Sequence, residues 1–451
     1  IITQDSDDPE GQGQGVLTYS WQTTSEEDIT QWTEVGTSST YNITASDQGK
    51  KIQAVISYID NLGFFEQVIT SYRNIYYRGA SNTTTGITAN GDTGNDLLIG
   101  STNNDILKGF EGNDEINGGD GNDTIEGGND NDTIYGDGGD DRLIAGAGDD
   151  TVEGGEGNDT IYGNDGTNTL RGDGGNDTIE GGNGADTIYG GDGNDTLYGS
   201  SNDKVFGGDG DDVIHRGGAL NYIDAGAGDD LVKLSANGGQ GVTIDFLDGG
   251  TGTDTLHFTY VGHGWSGLTT GSTPLGDAVI NFEKIKFSTS TSGRYTFNLG
   301  SQAGSAGESI TVEVVQTPSM TVHGIDFTSE TDANIIFTGS NGDRGNYGDD
   351  TVVLGSGDDN VTLRLGNDTI TAGAGDDVID GGAGIDTAIF SGKQSDYSIS
   401  TSVSGLFETI TISGTDGTDT VTNIETLRFD DGDIDVRPAG RTIKDSGQGI
   451  F

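Results

Sequence analysis

Along residues 91–233 an aliphatic residue returns at nine-residue intervals, with polar residues and glycines between. The unit is G-G-x-G-x-D-x-U-x, where U is aliphatic, and a clean copy is Gly118-Gly119-Asp120-Gly121-Asn122-Asp123-Thr124-Ile125-Glu126. Its last three positions alternate polar, apolar and polar, as in a short β-strand with one inward side chain. Glycine at the first, second and fourth positions permits the positive φ angles of a tight loop. The pattern therefore predicts an all-β fold, a parallel β-solenoid of short strands and glycine loops.

Sixteen such units, one of them eight residues long, fill this run, and five more fill residues 345–389. Because position eight points inward, its aliphatic side chains should form the core of the coil. In the first run they are Leu98, Leu107, Ile116, Ile125, Ile134, Leu143, Val152, Ile161, Leu170, Ile179, Ile188, Leu197, Val205, Ile214, Ile223 and Val232. Such a core is thin, so burial alone would not offset the entropy of ordering so many glycines.

The sixth position of the unit is Asp in most copies, and these residues are the candidate metal ligands. Two units make one turn, so each carboxylate is expected near the carboxylate two units further along the chain. Paired carboxylates completed by loop carbonyls suit Ca²⁺ at ~2.3–2.6 Å better than Mg²⁺, because Mg²⁺ keeps its waters. The predicted ligands of several Ca²⁺ ions are Asp96, Asp105, Asp114, Asp123, Asp132, Asp141, Asp150, Asp159, Asp177, Asp186, Asp195, Asp203, Asp212, Asp230, Asp350, Asp359, Asp368, Asp377 and Asp386.

Three departures from the repeat predict altered calcium sites. Asn168 and Asn221 replace the position-six Asp, and residues 199–206 form the eight-residue unit. An amide oxygen can still coordinate a cation, but it carries less charge than a carboxylate. We therefore expect vacant or altered sites at roughly 160–175 and 200–225, as read from these positions.

The charge of the chain changes what its low hydrophobicity means. The formal net charge is −54 and only 30% of the residues are hydrophobic, a combination that by itself predicts disorder. The carboxylates sit at fixed places in the repeat, so we expect an expanded chain without metal and a compact chain once cations bind. This charge argues against nucleic acid and anionic membranes as partners. No apolar run could form a transmembrane segment, and the absence of cysteine excludes disulfides and thiolate metal sites.

The composition divides the chain into six segments. We predict an Ig-like β-sandwich at 1–80, a linker at 81–90, the first β-roll at 91–233, a β cap or irregular β region at 234–344, the second β-roll at 345–389, and a C-terminal β cap and tail at 390–451. One further copy of the unit, Gly249 to His257, stands detached from the first run. The motif N-[FI]-E-x-[IL]-[KR]-F follows each repeat block, at Asn281–Phe287 and Asn423–Phe429, and is interpreted as part of a cap or, alternatively, as a binding motif.

The repeats resemble the repeats-in-toxin (RTX) family of bacterial secreted proteins. That resemblance implies type I secretion and folding in external calcium. Residues 11–78 resemble the Ig-like modules of large bacterial surface proteins. The residues that carry this resemblance include Tyr19-Ser20-Trp21-Gln22, Trp32 and Asp47-Gln48-Gly49-Lys50. Residues 391–432 are similar to the cap that often follows RTX repeats.

The motifs point to a non-enzymatic protein, since neither H-E-x-x-H nor G-x-S-x-G occurs. Tyr135, Tyr162, Tyr189, Tyr198 and Phe206 occupy outward strand positions, where they serve as strand formers or as a contact surface. We expect an extracellular, calcium-dependent structural or adhesive surface protein (an S-layer, filament or matrix component) that associates with itself or with other surface components. The alternative is the C-terminal carrier or secretion region of a giant adhesin, toxin or enzyme whose active module precedes residue 1.

Overall fold

The computed structural model describes residues 18–25, 31–43, 47, 49–59, 65–69, 73–77, 86–217, 222–236, 242–244, 246–261, 268–270, 279–289, 309–316, 325–326, 334–338, 349–404 and 407–436. These residues form strands, loops and 3₁₀ turns such as Gln394–Asp396, and they include no α-helix. The chain divides into two compact units, Ile1–Asp186 and Thr187–Phe451. The predicted all-β fold is confirmed.

The first unit begins with five strands in a single sheet. They are β1 (Thr18–Ser25), β2 (Thr33–Gly36), β3 (Lys50–Ile59), β4 (Phe65–Ile69) and β5 (Arg73–Tyr77). β2 and β3 flank β1, and β4 and β5 both pair with β3, all antiparallel. A sandwich needs a second sheet, and the described part of this region contains one sheet only.

The nonapeptide region of the first unit folds into a coil of short parallel strands. They are β6 (Thr88–Asn90), β7 (Asp96–Ile99), β8 (Ile106–Glu111), β9 (Glu115–Asp120), β10 (Thr124–Asn129), β11 (Thr133–Gly138), β12 (Arg142–Ala147), β13 (Thr151–Glu156), β14 (Thr160–Asp165), β15 (Thr169–Gly174) and β16 (Thr178–Glu180). Odd-numbered strands stack in one sheet, which β5 joins, and even-numbered strands stack in the other. Thr124 pairs with Ile106, which holds the same position two nonapeptides earlier, so two nonapeptides make one turn, as predicted.

The second unit contains the remaining strands. They are β17 (Thr187–Asp192), β18 (Thr196–Gly199), β19 (Lys204–Asp209), β20 (Val213–Arg216), β21 (Tyr222–Ala227), β22 (Leu231–Ala236), β23 (Val242–Ile244), β24 (Phe246–Asp248), β25 (Thr255–Val261), β26 (Leu268–Thr270), β27 (Val279–Ile280), β28 (Lys284–Thr289), β29 (Ser309–Gln316), β30 (Ile325–Asp326), β31 (Asn334–Thr338), β32 (Thr351–Val353), β33 (Asn360–Thr362), β34 (Thr369–Thr371), β35 (Val378–Asp380), β36 (Thr387–Ile389), β37 (Ser398–Ser404), β38 (Phe407–Ser413), β39 (Thr418–Thr422), β40 (Thr426–Phe429) and β41 (Gly432–Asp435).

One parallel sheet runs through the whole second unit, in the order β18-β20-β22-β25-β28-β29-β31-β33-β35-β39. Strands from residues 234–344 therefore belong to the same sheet as strands of both repeat runs. The copy at Gly249–His257 is not detached, because β24 and β25 pair with β21 and β22 and so form the next turn of the coil. At the end of the described chain, β40 and β41 form an antiparallel pair.

Position-eight side chains form the core of each unit. Every aliphatic residue predicted for this role in the first run is at most 1% exposed. The second run repeats the arrangement with Val352, Val361, Ile370, Ile379 and Ala388. The core prediction is confirmed, and the loops that carry position six lie at the edges of this thin core.

Candidate metal sites

Each predicted metal ligand stands at the end of a glycine loop, next to the first residue of a strand. The loop delivers the aspartate side chain toward the interior, and all the predicted aspartates are between 0 and 3% exposed. A buried carboxylate needs compensating partners, because the loss of hydration disfavours its charge.

Backbone hydrogen bonds connect the aspartates of successive turns. The N–H of each aspartate donates to Oδ1 of the residue one turn later, and we call such a run a ladder. In the first unit one ladder joins Asp96, Asp114, Asp132, Asp150, Asn168 and Asp186, and the other joins Asp105, Asp123, Asp141, Asp159 and Asp177, at 2.7–2.9 Å. The structure therefore places the predicted ligands next to one another in pairs one turn apart.

The described part of the second unit contains three further ladders. They join Asp195, Asp212, Asp230 and Asp254; Asp350, Asp368 and Asp386; and Asp359, Asp377 and Asp419, at 2.7–3.0 Å. The spacing is 17 residues across the short unit, 24 before Asp254 and 42 before Asp419. Each insertion is therefore accommodated outside the ladder.

The second carboxylate oxygen, Oδ2, has no hydrogen-bond donor in most of these residues. It is buried and unpartnered in Asp123, Asp132, Asp141, Asp150, Asp159, Asp212, Asp230, Asp254, Asp368, Asp377 and Asp386. An unsatisfied buried polar group costs about 1–3 kcal/mol, and more when it is charged. Repetition of this cost in turn after turn indicates that a cation belongs beside Oδ2.

The first glycine of the unit forms the wall of this space. A Cβ at Gly118 would lie 2.3 Å from Asp123 Oδ2 and 2.9 Å from the carbonyl oxygen of Gly136. These two oxygens, contributed by neighbouring turns, thus face the same small volume. Carboxylate and carbonyl oxygens are the ligands that Ca²⁺ takes. The donor set fits calcium, which would be held by position-six carboxylates together with loop carbonyls.

Side chains alone do not surround the ion. Within the described ranges no group of three or more histidine, cysteine, aspartate or glutamate side chains could hold a metal. The sites therefore depend on the loop backbone, as the glycine-rich sequence requires.

Burial raises the pKa of twelve ladder carboxyls, and neighbouring carboxylates raise it further against the lowering effect of the backbone hydrogen bond. The pKa is about 6 for Asp150, Asp159, Asp230, Asp368 and Asp419, about 7 for Asp123, Asp141 and Asp254, and about 8 for Asp132, Asp212, Asp377 and Asp386. Metal and proton therefore compete for these oxygens near neutral pH.

The expected irregularities differ in their geometry. Asn168 uses its only side-chain oxygen to accept from the N–H of Asp150 at 2.9 Å, so its buried Nδ2 occupies the place of Oδ2. In the short unit, a Cβ at Gly199 would lie 3.6 Å from Asp203 Oδ2, to which the Ser200 N–H donates. Asn221 lies outside the described residues.

Four ladder residues are absent from the sequence prediction of ligands. Asp254 belongs to the copy at 249–257, and Asp419 lies in Gly417-Thr418-Asp419-Thr420-Val421, which matches the G-x-D-x-U half of the unit. That local pattern could have revealed both. Glu283 and Glu425 also accept ladder hydrogen bonds, from Asp254 N–H and Asp386 N–H. Since the repeat has no glutamate at that position, no repeat signal marks them.

The outward faces of the second unit carry aromatic and cationic rows. Rings stack between Tyr189 and Phe206 at 4.9 Å, and between Tyr222 and Phe246 at 4.8 Å, with Phe206 and Tyr222 5.5 Å apart. We call these four residues the aromatic row. On the other sheet, strand register aligns Tyr198, His215, Lys233, His257 and Lys286. We call these five residues the cationic row after the charges of Lys233 and Lys286, since burial, and then Lys233, lowers the pKa of His215.

Comparison with protein families agrees with this geometry. The model of the RTX calcium-binding nonapeptide repeat family matches residues 90–125, 117–152, 126–161, 144–179, 162–197, 198–232, 241–258 and 355–388. Curated proteins give no significant match. Among solved structures, a hyperactive, Ca²⁺-dependent, β-helical antifreeze protein from an Antarctic bacterium is 16% identical, with 80% of this chain and 97% of that chain covered and a TM-score of 0.26. Within the described residues no helix has the length and apolar character needed to cross a membrane.

Proposed function

Because the chain carries RTX calcium-binding nonapeptide repeats, we propose that it is a secreted, calcium-dependent structural or adhesive protein of the bacterial cell surface. The repeats bind multiple Ca²⁺ ions, and such repeats are typical of extracellular proteins exported by type I systems. In this role the chain folds when it meets extracellular calcium and then serves as a scaffold.

The observation that carries the proposal is the row of buried, unpartnered Oδ2 atoms. Without a cation these carboxylates oppose the compact coil, and with calcium they stabilise it. Extracellular calcium modules bind with dissociation constants of about 10⁻⁴–10⁻³ M. A chain with this requirement folds where calcium is abundant, which is outside the cell.

The outward rows support a role in contact. Stacked rings provide rigid apolar area, which is enriched at protein interfaces. The cationic row stands on a chain of net charge −54, so it complements the acidic surface of a second copy or of another anionic surface component. The buried aspartates are engaged in the ladders, which supports a non-enzymatic role.

Electron microscopy of the purified chain, with calcium and with a chelator, tests the proposal. We expect ordered sheets or filaments in calcium, and their loss on chelation. Folded monomers in calcium at high protein concentration would contradict the assembly role and favour the carrier or secretion region of a larger adhesin, toxin or enzyme.

A substitution in the aromatic row tests the contact between molecules separately from the folding of the chain. Replacing Tyr189 and Tyr222 of the aromatic row with Thr should abolish assembly while circular dichroism in calcium stays unchanged. Tyr135→Thr is the matched control, because Tyr135 is a partly exposed tyrosine outside this row. Equal loss of assembly in the control would show that the row has no specific role.

A further inference from the structure

The two copies of N-[FI]-E-x-[IL]-[KR]-F make the same bonds in different parts of the chain. Asn281 and Asn423 adopt positive φ angles of 57° and 53°. Each donates its Nδ2–H to the aspartate that ends a preceding strand, Asp248 or Asp380, at 2.7 Å in both cases. The next residue, Phe282 or Ile424, is buried. Because the same bonds form at both places, we infer that the motif has the same structural role in each.

Each motif places a glutamate at the end of a ladder. The N–H of Asp254 donates to Glu283 Oε2, and the N–H of Asp386 donates to Glu425 Oε2, both at 2.7 Å. In the earlier ladder bonds that the structure describes, an aspartate or Asn168 accepts through Oδ1. The glutamate therefore occupies the ladder position of the missing next aspartate.

The motif also supplies the backbone oxygen of a regular site. A Cβ at Gly249 would lie 2.0 Å from Asn281 O, and a Cβ at Gly381 would lie 2.4 Å from Asn423 O. In a regular turn a loop carbonyl from the following turn has this place, such as Gly136 O beside Gly118. The backbone oxygen of a regular site is thus present in the last turn of each ladder, whereas the aspartate atom nearest these two positions is Cβ of Asp254 or Asp386 rather than Oδ2.

A ligand is indicated by the aspartates at these two positions. Asp254 and Asp386 are fully buried, and Oδ2 of each has no hydrogen-bond partner. A hydrogen-bond acceptor for the last N–H could be neutral, whereas a second carboxylate beside a buried one is unfavourable unless a cation lies between them.

We propose that Glu283 and Glu425 are calcium ligands, each closing the last Ca²⁺ site of its ladder together with Asp254 or Asp386. The motif is then a terminal calcium site that fastens β28, or β40, to the preceding coil. This assignment concerns individual sites and does not depend on the scaffold role.

Glu283→Gln and Glu425→Gln test the assignment, because glutamine keeps a hydrogen-bond acceptor and loses the charge. Isothermal titration calorimetry and equilibrium dialysis of the full chain count the bound ions, and circular dichroism at saturating calcium verifies the fold. We expect each variant to bind one Ca²⁺ fewer than wild type, and the double variant two fewer. Glu180→Gln, at an exposed strand position, is the control and should bind the wild-type number.

Wild-type stoichiometry and affinity in both variants would overturn the proposal, since the glutamates would then only cap the last N–H. If Glu283→Gln does not fold, Glu425→Gln decides, because its ladder is followed only by the β40–β41 pair in the described chain. Glu425→Asp is a second variant for that site. It keeps the charge, so it should bind more calcium than Glu425→Gln, and equal binding by the two would also count against a ligand role.

Discussion

Asn168 shows how one atom decides the chemistry of a turn. Its Oδ1 is committed to the N–H of Asp150, so the atom that faces the metal position is a nitrogen carrying two hydrogens. Such a group donates and cannot coordinate a cation. The weakening expected from lower charge therefore has a more specific cause, which is the loss of the ligand oxygen itself.

Asn168→Asp should consequently strengthen calcium binding. The variant places a carboxylate oxygen where Asn168 has its Nδ2, beside the metal position. We expect about 1–2 kcal/mol of added stability at fixed calcium. A calcium titration followed by circular dichroism should show a lower midpoint. Asn360→Asp adds the same charge at an exposed strand position and is the control. An unchanged midpoint in Asn168→Asp would contradict this account.

Glycine at position one is required by space. A Cβ at Gly118 would overlap the two oxygens that face the ion, so Gly118→Ala should destabilise the calcium-bound chain by about 2–3 kcal/mol. Gly138→Ala is a matched control, because the nearest atom to its Cβ, Asp120 Oδ1, would be 3.7 Å away. Thermal melting in calcium compares the two. Equal melting temperatures would show that position one tolerates a side chain.

At the scale of the strand and loop, the nine-residue period predicted most of the coil. Aliphatic spacing identified the core, and the two-unit turn identified which aspartates meet. The period could not predict that β28, β29 and β31 continue the sheet, because those strands lack the loop sequence of the repeat. The Asp377 N–H donates to Asp419, which lies 42 residues further along the chain. A local pattern marks Asp419 as a repeat aspartate but does not predict which aspartate it pairs with.

Because the ladder carboxyls are buried, the stability of the fold depends on pH. Calcium determines whether stability rises or falls as the pH is raised. The folded pKa values of about 6 to 8 lie above the ordinary aspartate value of 3.8, as at Asp132 and Asp150. Without calcium, stability from the protonated form is present below about pH 4 and is lost as pH rises through 6 to 8.

We therefore expect opposite trends with and without metal. In chelator, β content measured by circular dichroism should be higher at pH 5 than at pH 8, as these pKa values require. In calcium, the metal concentration at the folding midpoint should fall over the same interval, because the ion needs ionised ligands. If raising the pH from 5 to 8 changed the stability of the fold in the same direction in chelator and in calcium, the ladder would not be the titrating element.

For the whole molecule, charge balance controls compactness. The sequence contains 74 acidic and 20 basic residues, so self-repulsion opposes any compact state until cations bind. Bulk salt screens the charges of the buried aspartates less than it screens exposed charges. Specific binding of a divalent ion should therefore neutralise the buried aspartates, whereas monovalent salt should not.

Small-angle X-ray scattering should detect this transition. In chelator the radius of gyration should approach the roughly 80 Å of an unfolded chain of this length, and calcium should reduce it sharply. Sodium chloride at equal ionic strength is the control and should leave the chain expanded. A compact chain in chelator at pH 8 would contradict metal-coupled folding.

The two-nonapeptide turn also limits how such a chain can change length. Within the first unit, successive nonapeptide strands alternate between two sheets, and each pairs with the strand one full turn away. Removal of two whole nonapeptides shortens the coil and leaves every later strand in its sheet. Removal of a single nonapeptide transfers the later nonapeptide strands of that unit to the opposite sheet, which exchanges their outward faces. A duplication or deletion of repeat DNA therefore preserves which residues lie on each outward face only when it adds or removes an even number of nonapeptides.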